Sequence, residues 1–196
     1  MKKVLLFLPH GFETFEASVF IDVIGWNLTD GDGSTQLLTG GFTREVRSSF
    51  DQRMVVDRPF EEIRVDDFDA LALPGGFVEF DFYREAYDER LLGLIREFDR
   101  QRKVIAAICV GALVLGKSGV LAGRRCTTYN MKDGARQQTL ADFGGNVVNE
   151  PVVEDGNIIT SWNPSTAVEV AFRLLQRLTD KPRTDFIRGI MGFGPG

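Results

Sequence analysis

Cys109 is the residue in this sequence best placed to do chemistry. It stands in Ala106-Ala107-Ile108-Cys109-Val110-Gly111-Ala112, where an apolar, strand-like run passes into a helical pattern with no loop between them. The residue at such a corner takes a strained backbone conformation and projects its side chain into a cleft, over the first turn of the helix. Ala107, Gly111 and Ala112 are small enough to let the corner pack. Free amides there, Val110's among them, and the positive end of the helix dipole would favour a thiolate. A buried structural cysteine is the alternative that the local sequence leaves open. Glu13 and Glu16 lie at the start of a predicted helix, where either could serve as a cap. A carboxyl aimed into the cleft would instead be desolvated and its pKa raised. Protonated, it could donate a hydrogen bond to a thiolate and act in acid–base catalysis. Gly75-Gly76 follows a buried run and brings backbone amides within reach of a ligand, where they could hold an oxyanion beside Cys109. His10, the only histidine, follows the first apolar run. A histidine reaching the cleft could exchange protons at physiological pH; a loop histidine with no such role is the alternative.

These residues need elements to position them. Residues 3–8, 70–73 and 104–108 are short, continuous apolar runs, as in strands buried on both faces. Helical spacing covers about 14–28, 86–102, 112–118, 131–142 and 165–179. Residues 35–57 read as a strand followed by a hairpin at a sheet edge, 125–128 as a short strand, and 146–161 as strands around the Asp155-Gly156 turn. The alternation predicts an α/β three-layer sandwich, flavodoxin-like, with a mostly parallel central sheet and helices on both faces. One domain over 1–182 is expected, with 183–196 as a C-terminal extension whose glycine-rich end, 191–196, would fray. Ligands of such sheets sit at the carboxyl ends of the strands. The loops carrying His10 to Glu16, Gly75-Gly76 and Cys109 all fall on that edge.

Composition narrows the function classes. The chain has 196 residues, 43% of them apolar and 26% charged, with a formal net charge of -5 and no basic run. Nucleic acid and acidic membranes are therefore not expected partners. The first apolar run is too short for a signal segment or a membrane span, so the expected location is cytoplasmic. Two cysteines, Cys109 and Cys126, make no disulfide scaffold. Cys126 reads as a small core residue, or else as a resolving thiol for Cys109. No cysteine–histidine cluster has zinc-ligand spacing and no phosphate-cradling glycine loop occurs, so neither metal nor cofactor is expected. Asp22, in an apolar helical stretch, is expected to have a hydrogen-bonded structural role or to lie at a subunit contact. Trp26, Phe77, Phe80 and Phe82 could line a cleft wall, an interface or the core.

Five segments together resemble the ThiJ/PfpI family, relatives of the parkinsonism-associated deglycase within the class I glutamine amidotransferase-like fold. They are Gly11-Phe12-Glu13-Thr14-Phe15-Glu16-Ala17, Ala72-Leu73-Pro74-Gly75-Gly76, residues 106–112, residues 119–129 and Thr160-Ser161-Trp162-Asn163-Pro164-Ser165-Thr166. They run in family order across about residues 3 to 179. The resemblance implies that Cys109 is the nucleophile and oxidation-sensing thiol. Glu16 would be the glutamate bonded to it, and Gly75 and Gly76 the pair whose amides face it. It also implies a homodimer. Two departures stand out. Tyr129 replaces the histidine that many members carry after the Thr-Thr pair, and Val110 replaces the histidine that follows the cysteine in the peptidase branch. The expected function is a cysteine-dependent enzyme acting on a small electrophile, with glyoxalase-, deglycase- or isonitrile hydratase-like chemistry. A redox sensor or stress-response protein oxidised at Cys109 is the alternative. With both histidines missing, a peptidase or amidase has the least support.

Overall fold

The structure, a computed structural model, describes residues 1–194. In chain order the elements are β1 (Lys2–Phe7), α1 (Thr14–Thr29), β2 (Thr35–Gly41), β3 (Glu45–Arg47), β4 (Arg53–Val55), β5 (Arg58–Pro59), β6 (Ala70–Leu73), α2 (Phe82–Ala86), α3 (Glu89–Arg100), β7 (Val104–Ala107), α4 (Gly111–Ser118), β8 (Arg125–Cys126), α5 (Ala135–Asp142), β9 (Asn146–Val147), β10 (Val152–Asp155), β11 (Ile158–Ser161), α6 (Ala167–Leu178) and α7 (Lys181–Ile190).

Seven strands form the central sheet in the order β10-β11-β7-β6-β1-β2-β5. All its pairings are parallel except β10 with β11. Its central strands are buried on both faces, Val4 to Phe7 and Ala70 to Leu73 throughout, which is why they read as unbroken apolar runs. Helices α1, α6 and α7 pack together on one face, and α3, α4 and α5 on the other. The chain first extends the sheet from β1 to β2, then returns to the far side of β1 to lay down β6, β7 and β11. The reversal opens a crevice between the carboxyl ends of β1 and β6, where ligands of such sheets bind.

Local signals explain the elements that border this crevice. The Glu13 side chain caps α1 by accepting from the Glu16 amide (2.8 Å). Phe20, Val23, Ile24 and Asn27 recur at helical spacing and are buried. Asp22 lies off this stripe and is exposed, so the hydrogen-bonded structural role within the chain is not met. Trp26 is exposed, Phe77 and Phe80 are half-buried, and Phe82 is fully buried in the core.

Other boundaries differ from the sequence reading. The hairpin β3–β4 pairs only with itself, and the two residues of β5 form the sheet edge. The helix expected over 131–142 starts at Ala135, because Lys132, Asp133 and Gly134 hold three successive positive φ angles of 54°, 65° and 70°. Residues 183–190, grouped above with the extension, belong to α7. Asp180 caps that helix by accepting from the Arg183 amide (2.9 Å), and Thr184 and Ile187 are buried. Of the tail expected to fray, Phe193 packs its ring against Phe172 with centroids 5.6 Å apart, while Pro195 and Gly196 lie outside the described residues. No helix among the described residues is long and apolar enough to cross a membrane.

Candidate functional site

Cys109 sits where β7 gives way to α4, with a φ of 56°. A residue bearing a Cβ in this left-handed region costs about 1–2 kcal/mol, so its neighbours must hold it there. The Cys109 N–H donates to the Ser161 carbonyl at the end of β11 (3.1 Å). Its carbonyl accepts from the Thr128 hydroxyl (2.8 Å) and the Ala112 amide (3.2 Å). One residue earlier, the Ile108 N–H donates to the Leu73 carbonyl of β6 (3.1 Å). A Cβ on Gly111 would come within 2.9 Å of the Pro74 carbonyl oxygen, so only glycine lets α4 begin this close to the turn after β6.

Glu16 occupies the first turn of α1 and is fully buried. Its Oε2 accepts from the Gly75 N–H (2.6 Å), while Oε1 is buried without a conventional hydrogen-bond partner. The same carboxyl interacts with the Cys109 thiol. Burial pushes the Glu16 pKa up from 4.5 to about 8; the Gly75 amide and the thiol oppose the rise and the Glu13 charge adds to it. At pH 7 the carboxyl is therefore mainly protonated. The Cys109 thiol also lies well above its ordinary value, chiefly through burial and further through any charge on Glu16. The Val110 N–H bonds to the sulfur and pulls the other way. Burial thus acts against the thiolate that the Val110 amide and the helix end favour.

The glycine pair also divides its labour differently than expected. The Gly75 N–H is already committed to Glu16 and is not open to an oxyanion. A Cβ on Gly75 would come within 2.9 Å of Glu16 Oε2 and 3.1 Å of Cys109 Cβ. The Gly76 N–H has no acceptor among the described residues, and Gly76 lines the cavity beside Cys109.

These groups open onto a cavity of about 230 Å³. Glu13, Glu16, Gly76, Cys109 and Val110 come to it from the ends of β1, β6 and β7. Phe77, Val78, Glu79 and Tyr83 line it from the segment after β6, and Tyr129, Lys132 and Arg136 from the segment running into α5. His10 does not line the cavity. Its backbone N–H donates to Glu85 (2.7 Å), tying the loop to α2, so of the two readings of His10 the loop histidine is the one that matches this placement. Cys126 is fully buried on β8 and is likewise absent from the cavity. Among the described residues no three His, Cys, Asp or Glu side chains gather closely enough to hold a metal ion. Sequence reasoning missed Thr128 as a prop for Cys109, and Tyr83, Lys132 and Arg136 as wall residues. The Thr127-Thr128 pair in front of Tyr129 was the available signal for the first; the others had none.

A model of the DJ-1/PfpI family matches residues 2–177. Protein dj-1beta of Drosophila melanogaster is 32% identical over 186 residues, 93% of this chain and 92% of that protein. The crystal structure of Drosophila melanogaster DJ-1beta superposes with a TM-score of 0.86, at 26% identity over 98% of each chain. Deglycase PfpI of Pyrococcus furiosus is 36% identical over 109 residues, 56% of this chain and 61% of that one. The chain spans 47% and 43% of the length of two Arabidopsis thaliana relatives, Protein DJ-1 homolog A and Protein DJ-1 homolog B.

Proposed function

This chain belongs to the DJ-1/PfpI family, and from that premise we propose that it is a cysteine-dependent enzyme that converts small α-oxoaldehydes to 2-hydroxy acids. The observation that carries the reading is the coupled pair at the cavity: a cysteine locked at a left-handed corner beside a buried carboxyl with a pKa of about 8. Similarity to a deglycase supports reactive carbonyl compounds as the substrate class.

With one proton between them, the two groups can react as thiolate and carboxylic acid. The sulfur adds to the aldehyde carbon, forming the C–S bond and breaking the C=O π bond. The new oxyanion, held by the Gly76 N–H, takes the Glu16 proton. The Glu16 carboxylate then moves the hydrogen from the former aldehyde carbon to the adjacent ketone carbon, and the hydroxyl proton passes between the two oxygens. The first carbon is oxidised to a thioester as the second is reduced to an alcohol, so no outside oxidant is needed. Water cleaves the C–S bond, releases the 2-hydroxy acid and restores the thiol.

One feature weighs against the peptidase reading. A Cys–His peptidase lacks its base, since Tyr129 rather than a histidine lines the cavity. The test is lactate formation from methylglyoxal. Cys109→Ser is expected to abolish it, and Glu16→Gln to lower kcat/KM by about 10²–10⁴-fold, as for a general acid–base group. No lactate from the natural chain, or full activity in Cys109→Ser, would overturn the reading.

A further inference from the structure

Four arginines make no ion pair among the described residues: Arg58, Arg64, Arg102 and Arg136; the other arginines all do. The first three are exposed, and water stabilises their charge. Arg136 is half-buried, faces the Cys109 cavity and makes no hydrogen bond to a described residue. A guanidinium that faces a cavity and is engaged by no acceptor is free to take an anion there. Its guanidinium carbon lies over the Tyr83 ring, 5.7 Å from the centroid.

Tyr83 makes a second, independent case. Its hydroxyl is buried and has no hydrogen-bond partner among the described residues, although buried phenols ordinarily find one. Tyr83 lines the same cavity as Arg136 and Cys109. Lys132 joins Arg136 on the same wall, exposed and without an ion pair of its own. The cavity also holds Glu13 and Glu79. Glu13 is engaged on the Glu16 amide, Glu79 is exposed, and neither pairs with Arg136 or Lys132.

We propose that Arg136, the Tyr83 hydroxyl and Lys132 form a subsite for an anionic group, so that the substrate carries a carboxylate or phosphate beyond the carbonyl that Cys109 attacks. The inference rests on the proposed attack of Cys109 on an α-oxoaldehyde and specifies which α-oxoaldehydes. A charge-assisted fork from Arg136 would fix one end of the substrate while Tyr83 donates to the same group. The reactive carbonyl is then left against the sulfur. The small cavity suits a substrate of few heavy atoms.

Three substrates that differ in their anionic end give the test: methylglyoxal, 4,5-dioxopentanoate and 3-phosphooxypyruvaldehyde. Their products are lactate, 2-hydroxyglutarate and 3-phosphoglycerate. The natural chain is expected to favour an anionic substrate over methylglyoxal by about tenfold or more in kcat/KM. Which of the two it prefers distinguishes carboxylate from phosphate. Arg136→Met should collapse that preference, mainly through KM, and Arg136→Lys should keep part of it. Equal use of all three substrates, or an unchanged preference in Arg136→Met, overturns the subsite. A second measurement does not depend on turnover: the ratio of Cys109 alkylation rates with iodoacetate and with iodoacetamide, reagents of similar size that differ in charge. The ratio should fall in Arg136→Met. If no α-oxoaldehyde is turned over, the proposed reaction fails, while a fall in this ratio still upholds the anion subsite and an unchanged ratio rejects it.

Discussion

The Glu16 carboxyl keeps its proton at pH 7 because water cannot reach it, and this has a cost that depends on pH. Its pKa is about 8 in the folded chain, against an ordinary 4.5. Between these values Glu16 binds more protons in the folded state than in the unfolded state, so its contribution to stability is most favourable below about pH 4.5 and declines as pH rises towards 8. One such group gives a slope of about 1.4 kcal/mol per pH unit. Denaturant titrations across this window should show that decline in the natural chain and a flatter profile in Glu16→Gln, which has no proton to lose. Equal slopes would mean that the carboxyl is ionised in the folded state. At this scale the sequence revealed what local pattern dictates. Cys109 was legible because a strand running directly into a helix leaves its corner residue one conformation. Glu16 was legible through the family resemblance, whereas spacing alone did not separate it from Glu13. Arg136 and Tyr83 were not, because nothing along the chain says that residues so far apart share a cavity wall.

The corner itself is a property of elements. Its backbone is tied to β6, to β11 and to the segment after β8, so the sulfur's position depends on parts of the chain well separated in sequence. Thr128 is the most testable of these ties, being a fully buried side chain whose hydroxyl donates to the Cys109 carbonyl. Thr128→Val preserves the shape and removes the donor. A loss of about 0.5–1.5 kcal/mol in stability is expected, as for one net hydrogen bond, together with a lower kcat, while Thr128→Ser should restore both. Unchanged stability and kcat in the valine variant would show that β11 holds the corner alone. Element types were readable where apolar periodicity was strong, as in β1, α1, β6 and β7. The start of α5 was misread because Lys132 and Asp133 adopt left-handed conformations for which their residue types give little warning.

For the molecule as a whole, α7 is the element that the sequence pattern undervalued. It closes the face formed by α1 and α6, and Ile187 within it is fully buried. Ile187→Ala should cost about 2–5 kcal/mol, the range for emptying a packed aliphatic site, measured as a shift in the denaturation midpoint. A cost below 0.5 kcal/mol, about that of an ordinary surface substitution, would make the helix an ornament rather than part of the fold. The layered architecture was legible throughout because buried parallel strands and amphipathic helices leave distinct patterns. One consequence of the topology concerns crowding. On one side the sheet stops at Arg58-Pro59, a charged side chain next to a residue with no amide hydrogen to offer. Such a cap gives an incoming chain almost nothing to zip onto, so the end of β2 that it covers, Gly40-Gly41, is guarded against fibrous stacking even at high concentration.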